Sequence, residues 1–490
     1  MSSETEHEHN GDFIFGVHNS AIEISEEFIT FLTEQGLDVD EVKRSELISH
    51  EPEDDSHPLA SYFVSSSHNT YLLGKQLFAA ASAKAYGSVL ANNARCVEID
   101  VWPSPDGPIV THGHAYTDSL PFGEVCLEIG KGVKPDDWPV LVSLECHVPP
   151  EGQPELIQII KNAWGDKVVD KALEDVDPSR ASPRDFKGKI LLMIEYYHTE
   201  QLPETSGEPA DPASKITPEL AAFGFYLRSM KPNGDDFLVN PIVDPALHLL
   251  VNISEPALRA LGARSDELIA HSHTHFRRVY PEGLRIDSSN QDPVACWRNG
   301  SQIAALNWQN FDRGMQLNEA LFSGTNGWAL KPPSLRPLGS LNLKEHVHHV
   351  KQHFFTFSAH TFTVDIAGAT GIPREGEGHD PEWSLYVTAE LVHNNGNKEW
   401  HSNSKSVTFL PRANPMWHAS NTWTLPKGDE LAFIRLVVMR EKWGYDTHLG
   451  FFAARISRLN VNGEWHMAKL LDAHGKDCHA ALLVRFTFDK

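Results

Sequence analysis

Between residues 67 and 147 four short polar islands follow or interrupt apolar runs: Ser67-His68-Asn69, Glu98-Ile99-Asp100, His112-Gly113-His114 and Glu145-Cys146-His147. Carboxylates and amides are the oxygen donors that a hard cation such as calcium collects, roughly six to eight at a time with water included. Imidazole is the side chain that exchanges a proton near neutral pH without help. Together these types suit phosphoryl transfer assisted by a divalent cation. Asn69, Glu98, Asp100 and Glu145 are the candidate metal ligands; His68 and His112 are the candidates for proton transfer and charge stabilisation. Glu98 and Asp100 stand two apart in a β-type run, so both side chains leave the same strand face and converge on one ion. His114 and His147 border the set and are assigned no role. Zinc is the weaker reading, because the four islands show neither HxxxH nor CxxC spacing.

A lone acid on a strand usually faces solvent, so the elements that carry the islands decide the matter. Eight β-type runs are expected, at Tyr62 to Ser66, Cys96 to Trp102, Pro108 to Thr111, Val140 to Leu144, Ile190 to Ile194, Leu247 to Val251, Phe276 to Tyr280 and Gln302 to Asn307. Amphipathic stretches separate several of them. That alternation predicts the α/β class and a closed parallel (β/α)8 barrel of the TIM type, in which chemistry gathers at the C-terminal ends of the strands. The four islands fall at such ends. Residues Tyr197 to Pro218, rich in Pro, Glu, Ser and Thr, read as an acidic insertion between two half-barrels.

Past about residue 345 the helical pattern stops and alternating runs follow, at Phe354 to Val364, Leu385 to Val392, Ser406 to Leu410, Ala432 to Met439, His448 to Ile456 and Ala481 to Phe488. This pattern predicts a separate all-β antiparallel sandwich. Near the start, ISEEFITFLTEQG within Ile22 to Leu47 is an amphipathic helix without a D-x-D-x-D-G calcium loop. The expected division is 1-56 N-terminal helical segment, 57-196 first half-barrel, 197-235 acidic linker, 236-340 second half-barrel and 341-490 sandwich.

The 490 residues carry a formal charge of -24, which excludes binding to nucleic acid through counterion release and disfavours a generally basic membrane surface. An anionic substrate has to be drawn by a local basic patch or a bound cation. Five cysteines without paired spacing read as reduced thiols and not as a disulfide framework. The polar start lacks the apolar core of a secretory signal, and a cytoplasmic protein is expected.

The segments SSSHNTYLLGKQL, RCVEIDVW, IVTHGH and VLVSLECH resemble the X half of eukaryotic phosphoinositide-specific phospholipase C. HFRRVYPEGLRIDSSNQDPVACWRNGSQIAALNWQN and GWALKP resemble its Y half, so the likeness covers residues 57 to 335 in order. The β-rich C-terminus is similar in position to the family's C2 domain, the N-terminal helix to a degenerate remnant of its EF-hand region, and no pleckstrin domain is expected. The resemblance implies a calcium-dependent phosphodiesterase that cuts phosphatidylinositol lipids to diacylglycerol and inositol phosphate through a cyclic phosphate. It implies calcium on Asn69, Glu98, Asp100 and Glu145, phosphorane stabilisation by His68 and protonation of the departing oxygen by His112. The general base stays open between Glu98 and Glu145. Arg278 and Tyr280 match headgroup contacts, a further phosphate contact falls on either Asn252 or Ser254, and Leu77, Tyr116 and Leu284 match an apolar rim that dips into the bilayer. The expected partners are phosphatidylinositol lipids at the cytoplasmic membrane face, touched peripherally by a monomer.

Two places depart from the family. Where its fifth strand carries two lysines for the 4- and 5-phosphates, this chain has Met193 and Glu195. Preference for the bisphosphate should therefore be weakened. In the sandwich, the late loop that would carry calcium-binding aspartates reads Arg440-Glu441-Lys442-Trp443-Gly444-Tyr445-Asp446, with Asp380 the one ligand retained, which predicts contact through Trp443 and Tyr445 without calcium. Two other readings compete: a membrane-binding scaffold that has lost catalysis, and a glycerophosphodiester phosphodiesterase on a similar barrel, which the long Y-half match disfavours.

Overall fold

The computed structural model describes residues 22–49, 54–74, 80–113, 118–195, 215–230, 237–238, 249–336, 361–374, 382–394, 396–408, 412–425 and 429–489. Eight parallel strands close a barrel: β1 Tyr62–Ser67, β2 Cys96–Trp102, β3 Val140–Cys146, β4 Ile190–Glu195, β5 Arg228–Met230, β6 Leu249–Ser254, β7 Phe276–Tyr280 and β8 Ile303–Leu306. Each pairs with the next, and β8 returns to β1, which also meets β2 at Ser66 opposite Cys96.

Alternation along β2 explains the layering. Val97, Ile99 and Val101 pack outward with residues of helices Lys84–Ala91, Phe122–Gly132 and Gln153–Trp164. Cys96 points inward to a second core with Val64, Leu141, Leu191, Met193, Leu250, Phe276 and Ile303. Period-two geometry then obliges Glu98 and Asp100 to face inward as well, above that plug.

The barrel differs from expectation at one strand. Pro108 to Thr111 is not a barrel strand: only Ile109–Val110 is extended, pairing antiparallel with Val101–Trp102 and then with Leu120–Pro121. Only two of the four residues between Pro108 and the positive-φ Gly113 are extended, too few to span a barrel wall. The eighth stave is Arg228–Met230, which sequence reading missed. The sixth strand also starts and ends later than expected, so Asn252 and Ser254 lie within it.

Among the described residues the C-terminal unit has nine antiparallel strands: β9 Thr361–Thr370, β10 Glu382–Val392, β11 Lys398–His401, β12 Lys405–Thr408, β13 Met416–Thr424, β14 Phe433–Arg440, β15 Thr447–Arg455, β16 Asn462–Leu471 and β17 Asp477–Asp489. Their order is β11-β10-β14-β15-β16-β17-β9-β13, with β12 also on β10. A single residue pair, Phe451 with Leu471, links β15 to β16, and the two halves share one apolar core. Of these strands β11, β13 and β16 were not anticipated. The N-terminal helices Glu26–Glu34 and Val39–Arg44 set Phe28, Leu32 and Val42 against Ala367, Trp465 and Leu483 of this unit. Barrel and sandwich are joined by Arg313 to Glu390 (2.8 Å), Arg298 to Asp429 (3.3 Å) and Trp297 beside Phe433.

At the opposite end of the barrel from the islands lies a basic cluster. Arg277, wholly buried, donates to Ser301 Oγ (2.8 Å) and to the carbonyls of Leu268 and Asn299, while Lys331 sits over the Phe63 ring. His271 stacks on His275 with centroids 4.5 Å apart. Burial, with the charges of His275 and Arg277 beside it, pushes the His271 imidazole down to about 3. A histidine neutral in the fold but protonated in the unfolded chain costs stability as pH falls. The loss starts near its unfolded value of about 6.5 and accumulates at about 1.4 kcal/mol per pH unit. Urea unfolding at pH 7 and pH 5 should therefore show about 2 kcal/mol of lost stability from this group, and His271→Gln should remove that part of the slope. A slope unchanged by the substitution would place the sensitivity elsewhere.

Candidate active site

The inward residues at the C-terminal strand ends form one polar mouth. Glu98 Oε1 accepts from Arg278 Nη2 at 2.6 Å, with both side chains about 95% buried. Its Oε2 accepts the backbone N–H of Asn69 at 2.9 Å and lies 3.9 Å from His68 Nε2. Asn69 can offer that amide because it takes a left-handed conformation, φ +44°, which Asn tolerates better than most residues. Asp100 Oδ2 accepts from the Tyr71 hydroxyl at 2.6 Å, and the same hydroxyl lies 3.3 Å from Asn69 Oδ1. Asp100 Oδ1 is buried and has no hydrogen-bond partner. Glu145, at the outer lip, accepts from His147 at 3.0 Å, and His147 stacks flat on Trp102 at 3.8 Å.

The electrostatics follow from this crowding. Burial, then the neighbouring Glu98 and Glu145, hold the Asp100 carboxyl well above the usual range. The hydrogen bond from His147 holds Glu145 below it. Burial depresses His68, Glu98 opposes that shift, and Arg278 and His112 add to it, so both of these charges act on the His68 ring. Burial alone would lower Arg278, but Glu98 keeps it above its ordinary value.

One oxygen from each of Glu98, Asp100 and Glu145 lies within 4.8 Å of the others. Three acids against one guanidinium, with a buried carboxylate oxygen left unpartnered, fit a bound divalent cation. His68 is aimed by Asn307, whose Oδ1 lies 2.9 Å from Nδ1, leaving Nε2 toward Glu98. His112 follows the short ribbon strand, and its Nδ1 is buried without a partner.

Of the other expected residues, Tyr280 ends β7 level with Ser254. Ser254 Oγ is used as a helix cap, accepting from Ala257 N at 3.3 Å. Asn252 donates to Ser229 Oγ at 2.6 Å, so the unanticipated β5 brings a second small polar group to the mouth. Leu284 is 81% exposed, with Ile286 nearby at 55%. Leu77, Tyr116, His114 and Asp380 lie outside the described residues, as does most of the acidic linker. Met193 is buried in the plug, and Glu195 pairs with Lys215 at 2.9 Å. Lys187 and Lys189 serve the other end of β4, on Asp55 and the Asp166 carbonyl. Sequence reading missed Tyr71, Asn307, Ser229 and Lys215. Only Tyr71 carried a local signal, two residues beyond Asn69.

Comparison with known families decides the lineage. The phosphatidylinositol-specific phospholipase C X domain matches residues 55–196 and the Y domain of the same enzymes matches 220–334. The chain belongs to the phosphoinositide-specific phospholipase C family. It is 30% identical over 390 residues to the Bos taurus 1-phosphatidylinositol 4,5-bisphosphate phosphodiesterase delta-4, covering 66% of this chain and 48% of that one. A Dictyostelium discoideum 1-phosphatidylinositol 4,5-bisphosphate phosphodiesterase is 27% identical over 501 residues, 89% of this chain and 60% of its own length. The chain thus spans about half the length of the first of these relatives. The crystal structure of S. officinalis PLC21 superposes with a TM-score of 0.74 at 23% identity, over 95% of this chain and 60% of that one. That likeness, which runs through barrel and sandwich alike, establishes the phospholipase C fold.

Proposed function

We propose that this protein is a calcium-dependent phosphodiesterase that cleaves phosphatidylinositol lipids to diacylglycerol and inositol phosphate through a cyclic phosphate, with weakened preference for the 4,5-bisphosphate. The observation that carries the reading is the convergence of Glu98, Asp100 and Glu145 beside His68 at the mouth of a phospholipase C barrel. Asn69, Glu98, Asp100 and Glu145 would hold calcium, which supplies Lewis-acid stabilisation of phosphoryl charge and acidifies the inositol 2-hydroxyl.

The chain's own groups divide the remaining work. Both oxygens of Glu98 are committed, to Arg278 and Asn69, so Glu145 is the freer base. It takes the 2-hydroxyl proton as that oxygen bonds to phosphorus and the bond to the diacylglycerol oxygen breaks. His112 donates a proton to the departing oxygen, then takes one from the water that opens the ring. His68, its Nδ1–H fixed on Asn307 Oδ1, presents Nε2 to the phosphoryl group and would donate from it as the imidazolium, the form that the bound phosphate's negative charge favours against burial. Arg278 and Tyr280 receive the headgroup, with Asn252 and Ser229 as neighbouring polar contacts.

Two lysines are absent from the headgroup side, and a charged hydrogen bond contributes about 1.5–3 kcal/mol, enough to erase a steep bisphosphate preference. Turnover of phosphatidylinositol, its monophosphate and its bisphosphate in mixed micelles should therefore differ by less than about tenfold, and chelating calcium should abolish all three. A hundredfold lead for the bisphosphate would sink the weakened preference. Release of inositol phosphate without calcium would sink the metal role.

No helix among the described residues is long and apolar enough to cross a membrane. Trp443 and Tyr445 are almost fully exposed on the turn after β14, which Asp446 braces by accepting from Lys442 N (3.0 Å) and the Tyr386 hydroxyl (2.5 Å). Exposed amphipathic aromatics suit the bilayer interface. Trp443→Ala with Tyr445→Ala should slow hydrolysis on vesicles about tenfold and leave a water-soluble substrate unaffected. Equal slowing on both would remove the membrane role.

A further inference from the structure

We propose that the Glu195–Lys215 ion pair is the element that disfavours ring phosphates, and that buried Gln153 holds it in place; this rests on the function proposed above. Glu195 ends β4 on its inward face, two residues beyond Met193, so its carboxylate stands at the mouth. Lys215 comes from another segment, yet its Nζ lies 2.9 Å from Glu195 Oε2. The backbone brings it there. Gln153, wholly buried at the start of its helix, donates to the carbonyls of Lys215 (2.6 Å) and Val148 (3.0 Å) and accepts from Thr217 N (2.8 Å). One amide thus ties the segment bearing Lys215 to the loop just beyond Glu145.

At this corner a cation is present but already paired. An unphosphorylated inositol ring offers hydroxyl donors, which Glu195 accepts while keeping Lys215. A phosphate in the same place offers only acceptors and negative charge. It has to draw Lys215 away and then faces the carboxylate left behind. Lys215 is 38% exposed and Glu195 19%, so water and salt moderate the effect, and roughly five- to tenfold discrimination is expected.

The test compares kcat/KM for the bisphosphate with that for phosphatidylinositol, using the full chain with calcium. Glu195→Gln removes the repulsion and releases Lys215, so the ratio should rise about tenfold; Lys215→Met should lower it about fivefold. Gln153→Leu changes no charge, yet by loosening Lys215 it should move the ratio the same way as Lys215→Met, with thermal unfolding reporting whether the variant folds. The first two substitutions sit at the solvent edge and decide the pair even if Gln153→Leu does not fold. A ratio unmoved by both, while phosphatidylinositol is still cleaved, overturns the proposal and leaves the enzymatic reading standing. If the wild type cleaves no lipid, the enzymatic reading fails and the pair is judged by calorimetric binding. Inositol 1-phosphate and inositol 1,4,5-trisphosphate must then show the same opposite shifts, and their absence overturns the proposal.

Discussion

His112→Ala is expected to slow hydrolysis of phosphatidylinositol by about a thousandfold, within the range that a positioned general acid supplies, while the unfolding midpoint stays within about two degrees. His112 stands in a turn between Thr111 and the left-handed Gly113, outside the barrel wall, so its loss opens no cavity in the plug. Its buried Nδ1 has no partner to strand. Diacylglycerol oxygen is a poor leaving group and requires a proton as it departs. A substrate whose leaving group is a stable phenolate does not, so its turnover should fall by no more than about tenfold in the same variant. That contrast separates proton donation from positioning. An equal loss on both substrates would show that His112 shapes the mouth instead of protonating the product, no loss on either would remove its catalytic role, and the absence of calcium-dependent hydrolysis in the wild type would favour a scaffold over an enzyme.

What made His112 legible also marks where sequence reading ended. The islands were visible because each follows or interrupts an apolar run, and period-two alternation then fixes the facing of Glu98 and Asp100. His112 was placed just past the end of a barrel strand because Pro108 to Thr111 has the composition of one. Only the pairing of Ile109–Val110 back onto β2 reveals a ribbon. The real stave, Arg228–Met230, is too short for any periodicity, and its contribution, Ser229 beside Asn252, stayed hidden with it. Asn307 and Lys215 were missed for a different reason. Asn307 lies 239 residues from the histidine it orients, and Lys215 reaches Glu195 only through the backbone clamp of Gln153. Contacts of that separation come from barrel closure and leave no local pattern. In the sandwich, β11, β13 and β16 are rich in Lys, His, Asn and Glu on their exposed faces, which blurred the alternation elsewhere legible.

The largest effect on stability is expected at Arg278. Its guanidinium is the direct cationic partner of Glu98, and both are buried beneath Asp100 and Glu145. Arg278→Met leaves an uncompensated buried carboxylate, which costs about 3–5 kcal/mol when one partner of such a pair is removed. Calcium at the proposed site would change that balance, because a divalent ion held by the same acids would provide the missing countercharge. In the wild type, calcium at a hundred times its dissociation constant should stabilise the fold by about 2.7 kcal/mol, from mass action alone. In Arg278→Met the loss should therefore be near its full size in chelator and clearly smaller in saturating calcium, since the acids no longer share one cation. Urea unfolding of both proteins, with and without calcium, measures the four values. A loss equal under both conditions would mean that the metal and Arg278 do not act on the same carboxylates. The predicted outcome has a catalytic counterpart. With a cation on the proposed site, Glu98 would no longer depend on its 2.6 Å bond to Arg278, and the guanidinium would be available to a headgroup phosphate. Affinity for an inositol phosphate should then rise with calcium in the wild type, and that rise should be lost in Arg278→Met.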